Sequence, residues 1–391
     1  MSNQRLKQLR LARGLSLEEL AAELGGIVTK QALSKYEHGK AKPSPLVRNK
    51  LAAVLRVKAV HLWSEPTVKV EFVAYRKRSA LPKREQEKVE SLIIQMLEER
   101  VRLQSLTEQA GEVDLPIKHW AVQKLEDAEC AAEELRRNWN LGLAPIASFV
   151  GVLEDHSIQV VEIDADDRFD GISAIASDEE GRRLGAAVVT RRGVPGERQR
   201  LNLAHELGHL MLKVAAEVDE EKAAFRFGAA LLAPAVAVLR ETGTKRTLIQ
   251  TTELLLLKRR FGLSMQALLF RLRELDVITE SSYKQWCMDI NRLGWRKREP
   301  GELPPEQPQW LRQQVLRLLA EGLISREDAE TALGETVEAD LPLSLIERRA
   351  FLKLPLEERR RIMAAEAEKV APAYAQEAEW QEWQGGDIVD Y

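Results

Sequence analysis

His205-Glu206-Leu207-Gly208-His209 stands inside an apolar run that includes Leu201, Leu203, Ala204, Leu210, Met211 and Leu212. With 3.6 residues per turn, two positions four apart lie about 40° from each other and one above the other, so both imidazoles can reach one metal ion. Glu206 falls roughly 100° further round, off the ligand direction but within reach of a water held by that ion. H-E-x-x-H on a helix is thus half of a zinc site with its general base. A buried helix is the setting the apolar neighbours predict, and a poor home for two histidines and a carboxylate without partners. Gly208 adds to the reading. Glycine costs a helix about 1 kcal/mol against alanine, so its place between the histidines predicts a close neighbour that a Cβ would strike.

A three-ligand zinc site with a fourth position left open needs one more side chain, and His, His, Glu is an established set. The next segment, Asp219-Glu220-Glu221-Lys222-Ala223-Ala224-Phe225-Arg226-Phe227-Gly228-Ala229-Ala230-Leu231-Leu232-Ala233-Pro234, reads as a second helix, acidic at its start and closed by proline. Glu217, Glu220 and Glu221 are its candidate ligands. The run from Arg198 through the H-E-L-G-H and on to Pro234 resembles the ImmA/IrrE family of bacterial zinc metallopeptidases. In that family the helix after H-E-x-x-H reads E-x-x-A-N-x-F-A-x-x-L-L-x-P, and its first Glu is the third ligand. The resemblance therefore implies zinc held by His205, His209 and Glu221, with Glu206 as the catalytic base. Phe225 stands where the family has Asn, and Gly228 where it has Ala. Neither departure removes a ligand.

Length and composition bound the rest. A chain of 391 residues, 45% hydrophobic, can build two or three domains with real cores. The net charge of −3 hides an asymmetry, for residues 1 to 63 carry 12 Lys/Arg against 4 Asp/Glu, whereas residues 351 to 391 carry 5 against 9. The first end suits nucleic acid and the last does not. Cys130 and Cys287 are too few for a disulfide framework or a cysteine metal site, and each reads as a buried thiol. No signal segment or long apolar span is evident, so the expected location is cytoplasmic, with no membrane partner.

Leu6, Leu9 and Leu11 alternate with basic residues up to Gly14, a first amphipathic helix. Ser16 with Glu19 forms a capping box for a second, buried through Leu17, Leu20, Ala21 and Leu24 and ended by Gly25-Gly26. A third, from Thr29 to His38, faces Leu33 and Tyr36 inward and is stopped by Gly39. This stretch, through Tyr36-Glu37-His38-Gly39-Lys40-Ala41-Lys42-Pro43-Ser44, resembles the Xre/Cro-like helix-turn-helix family over roughly the first sixty-five residues. Carried over, the family's base-contacting positions are Thr29, Lys30, Gln31, Ser34 and Lys35. Double-stranded operator DNA is the partner this implies. Gly26-Ile27 lengthens the turn, and Leu17 occupies a place that is often polar. A second copy of the chain, as a homodimer, is a further candidate partner.

Between the two motifs, Val68, Val70 and Phe72 predict a short strand before Arg76-Lys77-Arg78, and residues 83 to 109 and 116 to 139 predict helices. Three β-prone runs at 158 to 163, 171 to 176 and 185 to 190 predict a small antiparallel sheet, to which an extended substrate could pair at 171 to 176 or 185 to 190. Residues 261 to 272 read as a turn and helix with Arg271 and Arg273 exposed, and Glu299 to Glu306 as a proline-rich spacer. Glu379 to Tyr391 ends the chain with aromatics among acids, similar to the tails by which small antitoxins wrap a toxin; folding back on the basic domain and disorder are the other readings. The expected architecture is mainly α (α+β): a five-helix helix-turn-helix domain at 1–66, a strand and helical linker at 67–115, a zincin-like peptidase domain at 116–240, a helical region at 241–335, and an acidic tail at 336–391. The resemblances imply a DNA-binding regulator fused to a zinc endopeptidase acting on a regulatory protein such as a repressor. The rival is a regulator or antitoxin without turnover, which binds operator DNA and neutralises a small toxin through 351–391.

Overall fold

Capped helices open the chain. The computed structural model describes residues 4–59, 61–62, 68–73, 82–107, 113–164, 169, 171–337 and 345–376. Helices α1 (Gln4–Ala12), α2 (Leu17–Glu23), α3 (Lys30–Glu37) and α4 (Pro45–Val54) close around Leu6, Leu9, Leu20, Leu33 and Leu51. The Ser16 hydroxyl accepts from the Glu19 amide at 3.1 Å and the Glu19 carboxylate from the Ser16 amide at 2.6 Å, the reciprocal capping box that the sequence announces. Thr29 and Ser44 cap α3 and α4 in the same manner. Four helices are described within these residues where five were expected.

Strand β1 (Lys69–Phe72) and the long helix α5 (Lys83–Ser105) follow, then β2 (Trp120–Val122), α6 (Leu125–Asn138), α7 (Phe149–Asp155), β3 (Ile158–Ile163), β4 (Ile172–Ser177) and β5 (Arg183–Arg191). The segment expected as one helix from 116 to 139 therefore opens as a strand. The main sheet runs β1-β4-β5-β3 and is mixed, not antiparallel: β1 and β5 flank β4 antiparallel, while β3 lies parallel to β5. β3 and β5 are buried almost along their whole length, and the residue pattern of a strand does not record its pairing order. β3 and β4 are not neighbours in the sheet, and after the hairpin at Asp178–Arg182 β5 lies between them.

Each face of the sheet has its own cover. Val161, Ile163, Ala174, Ala176, Ala187 and Val189 join Val89, Ile93 and Leu97 of α5, three residues at i, i+4, i+8. Ile158, Val160, Ala186 and Val188 point the other way, into the larger core around helix α8 (Gly196–Met211) and helix α9 (Glu220–Leu232). Thus residues 67–115, expected to connect two domains, supply one strand of the sheet and the helix over one face. Helix α5 also packs on α1, where Arg5 pairs with Glu98, and Arg84 reaches Glu19 and the Gly14 carbonyl at 2.7 Å.

Strand β6 (Leu212–Val214) leaves α8 directly and pairs parallel with β2. Beyond α9 come α10 (Ala235–Thr242), α11 (Thr251–Phe261), α12 (Met265–Glu274) and α13 (Glu280–Arg292). Arg271, expected outside, is fully buried: its guanidinium donates to Glu129 at 2.5 Å and to the Ala233 carbonyl at 3.2 Å. Paired charge can be buried in this way, and periodicity alone cannot distinguish it from a surface arginine. Residues 299 to 306 are no spacer. The Glu299 carboxylate takes Lys258 at 2.9 Å and the Met265 amide at 2.9 Å, and Glu306 takes the Val150 amide at 2.8 Å and pairs with Arg200. Cys130 is exposed and Cys287 half-buried, correcting the buried thiols expected; Cys130 lies between Ala128 and Ala131, which hold the inward face of α6.

The chain divides into two compact units, residues 1–312 and 313–391. Helices α14 (Trp310–Ala320), α15 (Arg326–Leu333), α16 (Leu345–Lys353) and α17 (Leu356–Gln376) complete the described chain. The aromatic acidic segment 379–391 lies outside the described residues. Among the described residues no single helix is long and apolar enough to cross a membrane; α9 and α10 are apolar together, but bend by 60° and owe that composition to burial in the core.

Candidate functional site

Helices α8 and α9 cross at small residues. A Cβ on Gly208 would stand 3.0 Å from the Ala224 Cα, and one on Gly228 3.1 Å from the Ala204 carbonyl carbon and the His205 nitrogen. The close neighbour expected at Gly208 is therefore α9 itself, and the tight crossing carries the first turn of α9 up to the histidines. The far end of α8 is fixed by the segment before β2. Lys118 donates its amide to the Leu210 carbonyl at 2.8 Å and its ammonium to the His209 carbonyl at 2.6 Å, which satisfies carbonyls a helix end leaves open.

Three side chains converge on one point. Nε2 of His205 and Nε2 of His209 lie 3.1 Å apart, with ring planes at 87°. Glu221 places Oε2 3.2 Å from His205 Nε2 and Oε1 3.6 Å from His209 Nε2. A tetrahedral ion bonded at about 2.1 Å separates its ligands by about 3.4 Å, so these spacings fit a zinc-sized cation. Among the described residues, these three are the His, Cys, Asp or Glu side chains grouped closely enough to hold an ion. Glu220 faces the other nitrogen of His209, with Oε1 3.6 Å from Nδ1, and Glu217 is exposed. Both histidines are buried, and burial followed by the neighbouring His205 ring brings His209 down to about 4, in favour of the neutral imidazole that binds metal.

Glu206 is buried on the same helix, and the start of β4 is shaped to it. A Cβ at Gly171 would lie 2.5 Å from the Glu206 Oε1, so a strand with any side chain there would displace the carboxylate. Sequence reading passed over Gly171, whose only signal was a glycine at the head of a β-prone run, and over Lys118. Phe225, noted only as a departure, lies against His205 with ring centroids 4.0 Å apart and planes tilted by 39°. The expected substrate-pairing strands are both internal to the sheet: β5 lies between β4 and β3, and the outer side of β4 is taken by β1, with the Val73 amide donating to the Ser173 carbonyl at 2.9 Å.

On α3, Gln31 and Lys35 are exposed and Ser34 is half-buried, its carbonyl accepting from His38 Nδ1 at 2.7 Å. Thr29 is the N-cap, accepting from the Ala32 amide at 3.2 Å. Lys30 meets Glu18 of α2 at 2.5 Å, an exposed pair of little energetic weight. Beneath them a buried pair missed by sequence reading, Arg10 and Glu37 at 2.6 Å, ties α1 to α3.

No curated protein matches the chain. Residues 6–62 match the family model described as helix-turn-helix, and residues 154–273 the peptidase family model described as IrrE N-terminal-like domain. The chain thus joins a helix-turn-helix module of DNA-binding type to an IrrE-like metallopeptidase-type domain, the combination its two resemblances implied.

Proposed function

We propose that this chain is a DNA-binding regulator whose second domain is a zinc-dependent endopeptidase that cleaves a regulatory protein such as a repressor. The observation that carries the reading is the convergence of His205 Nε2, His209 Nε2 and the Glu221 carboxylate beside a buried glutamate on the same helix. His205, His209 and Glu221 would hold the zinc. Zinc in such a site supplies Lewis acidity, which makes water a nucleophile near neutral pH and polarises a carbonyl.

The protein's own groups do the rest. Glu206 accepts a proton from the attacking water at a carboxylate oxygen and delivers it to the amine that leaves, so the peptide bond is exchanged for a carboxylate and an amine. Gly171 keeps the pocket for that carboxylate open. The tight α8–α9 crossing holds the ligands in place before a substrate arrives. On the other module, α3 would enter the major groove with Thr29, Lys30, Gln31, Ser34 and Lys35, two copies being needed to span paired half-sites.

The test uses the full-length chain, zinc-loaded, incubated with a soluble bacterial protein extract and followed by mapping of new protein termini. New termini that appear with the wild type and not with Glu206→Gln, at equal zinc content, are the expected result. The same termini with both proteins, or none with either, would remove the peptidase.

A further inference from the structure

Beside the metal tripod a groove of about 880 Å³ opens, large enough for more than one side chain. It begins one turn from the ligands on both helices: Leu201 precedes His205 by four residues on α8, and Phe225 follows Glu221 by four on α9. Ala229, Ala267, Phe270 and Tyr283 carry the lining onward. Phe225 belongs to both places, since its ring lies tilted against His205 at 4.0 Å and also walls the groove. Phe225 and Phe270 are 42% and 38% exposed, whereas Phe227 and Phe261 are buried completely. Two large aromatic rings held open to solvent next to a reactive centre are an apolar surface waiting for an occupant.

The charges around the groove say what kind. Lys222 meets Asp219 at 3.6 Å, Arg226 meets Glu126 and Glu129 at 3.2 and 3.3 Å, Arg273 meets Glu280 at 3.4 Å, and Glu274 meets Arg271 at 3.9 Å. Arg273 also lies over the rings of Phe270 and Tyr283, at 4.3 and 5.0 Å from their centroids. Arg226, Arg273 and Glu274 of the lining already have counter-charges within the protein, so a charged occupant would lose hydration for little gain in pairing. A second cavity, of about 740 Å³, is walled by Glu221 itself with Lys118, Lys213, Asp219 and Glu220 and by the apolar Val214 and Val218. An extended peptide crossing the tripod therefore meets the aromatic groove on one side and a mixed cavity of apolar and charged residues on the other.

We propose that the apolar groove is the specificity pocket of the peptidase, and that it seats a large uncharged side chain of the size of leucine, methionine or phenylalanine, adjacent to the bond that is cut, against the ring of Phe225. This deepens the peptidase reading and rests on it. Phe225 is the specificity-determining residue: it offers no metal-binding atom, and its replacement removes the preference.

The probe is a library of capped hexapeptides with one position varied among Leu, Phe, Ala, Ser, Asp and Lys, applied to the full-length, zinc-loaded Glu206→Gln protein and scored by retention. Peptides with Leu or Phe should be held roughly tenfold more strongly than those with Ala, Asp or Lys. Phe270→Ala, at an exposed ring that touches no ligand, should erase that ratio in the same background while zinc content and melting temperature stay unchanged, and Phe225→Ala should erase it in protein loaded to equal zinc content. No retention, equal retention of all six, or a preference unaffected by Phe225→Ala would overturn the proposal. Incubating the retained peptides with the wild type separates the two claims: intact peptides would refute the peptidase and leave the pocket standing, whereas cleavage without side-chain preference would do the reverse.

Discussion

At the scale of single residues, Gly171 and Glu206 form an exacting pair beside the metal ligands. Gly171→Ala sets a methyl group 2.5 Å from the position of the Glu206 carboxylate oxygen, and the side chain must turn away. A displacement of about 1 Å at a reacting group costs roughly a hundredfold in rate. Gly171→Ala should therefore lower the cleavage rate by about two orders of magnitude with zinc stoichiometry intact; a rate within threefold of wild type would show that the carboxylate has room. His205, Glu206 and His209 were legible in sequence because a single helical turn fixes them relative to one another. Gly171 was not, because its neighbour across the fold is set by how a strand docks on a helix, and no local pattern records that. Glu221 lay between these cases: its helix was readable, but the choice over Glu220 came from a family resemblance, and the structure shows the two carboxylates facing different nitrogens of His209.

Among the elements, the α8–α9 crossing and the buried charges decide stability. Gly208→Ala gains about 1 kcal/mol of helix propensity but forces a Cβ against the backbone of α9, and overpacking of this kind costs about 1–3 kcal/mol. The expected net effect is a loss of about 1 kcal/mol in urea denaturation, together with weaker zinc binding as Glu221 is pushed off. A gain in stability would mean that the helices separate easily. Lys258 is fully buried between Glu197 at 2.6 Å and Glu299 at 2.9 Å. Lys258→Met leaves two buried carboxylates without their cation and should cost about 3–5 kcal/mol, a shift measurable by thermal denaturation. The amphipathic helices, the capping boxes and the β-prone runs were readable in the sequence, because periodicity and cap chemistry are local. Strand order, the covering of β4 by β1, and the interior places of Lys258 and Arg271 were not: each depends on a partner distant in sequence, and a charged residue looks the same whether water or a carboxylate completes it.

For the whole molecule, helix α5 matters most. It covers one face of the sheet through Val89, Ile93 and Leu97 and holds α1 through Arg5–Glu98, so the helix-turn-helix and the metallopeptidase-type domain share a packed element. The order of the two modules was legible from their motifs, but α5 read as a linker because its apolar stripe says only that something covers it. With Gln31 and Lys35 exposed on α3, Lys35→Ala should weaken binding to a DNA duplex and reduce the salt dependence of the affinity by about one counterion. Fluorescence anisotropy at several salt concentrations would measure both, and unchanged values would move the DNA contact elsewhere. The measurement that bears most directly on the central claim is zinc content per chain after loading and exhaustive dialysis. One zinc is expected for the wild type and for Glu206→Gln, and well under half of one for His209→Ala and Glu221→Ala. A metal-free wild type, or full occupancy without His209 or Glu221, would contradict the account.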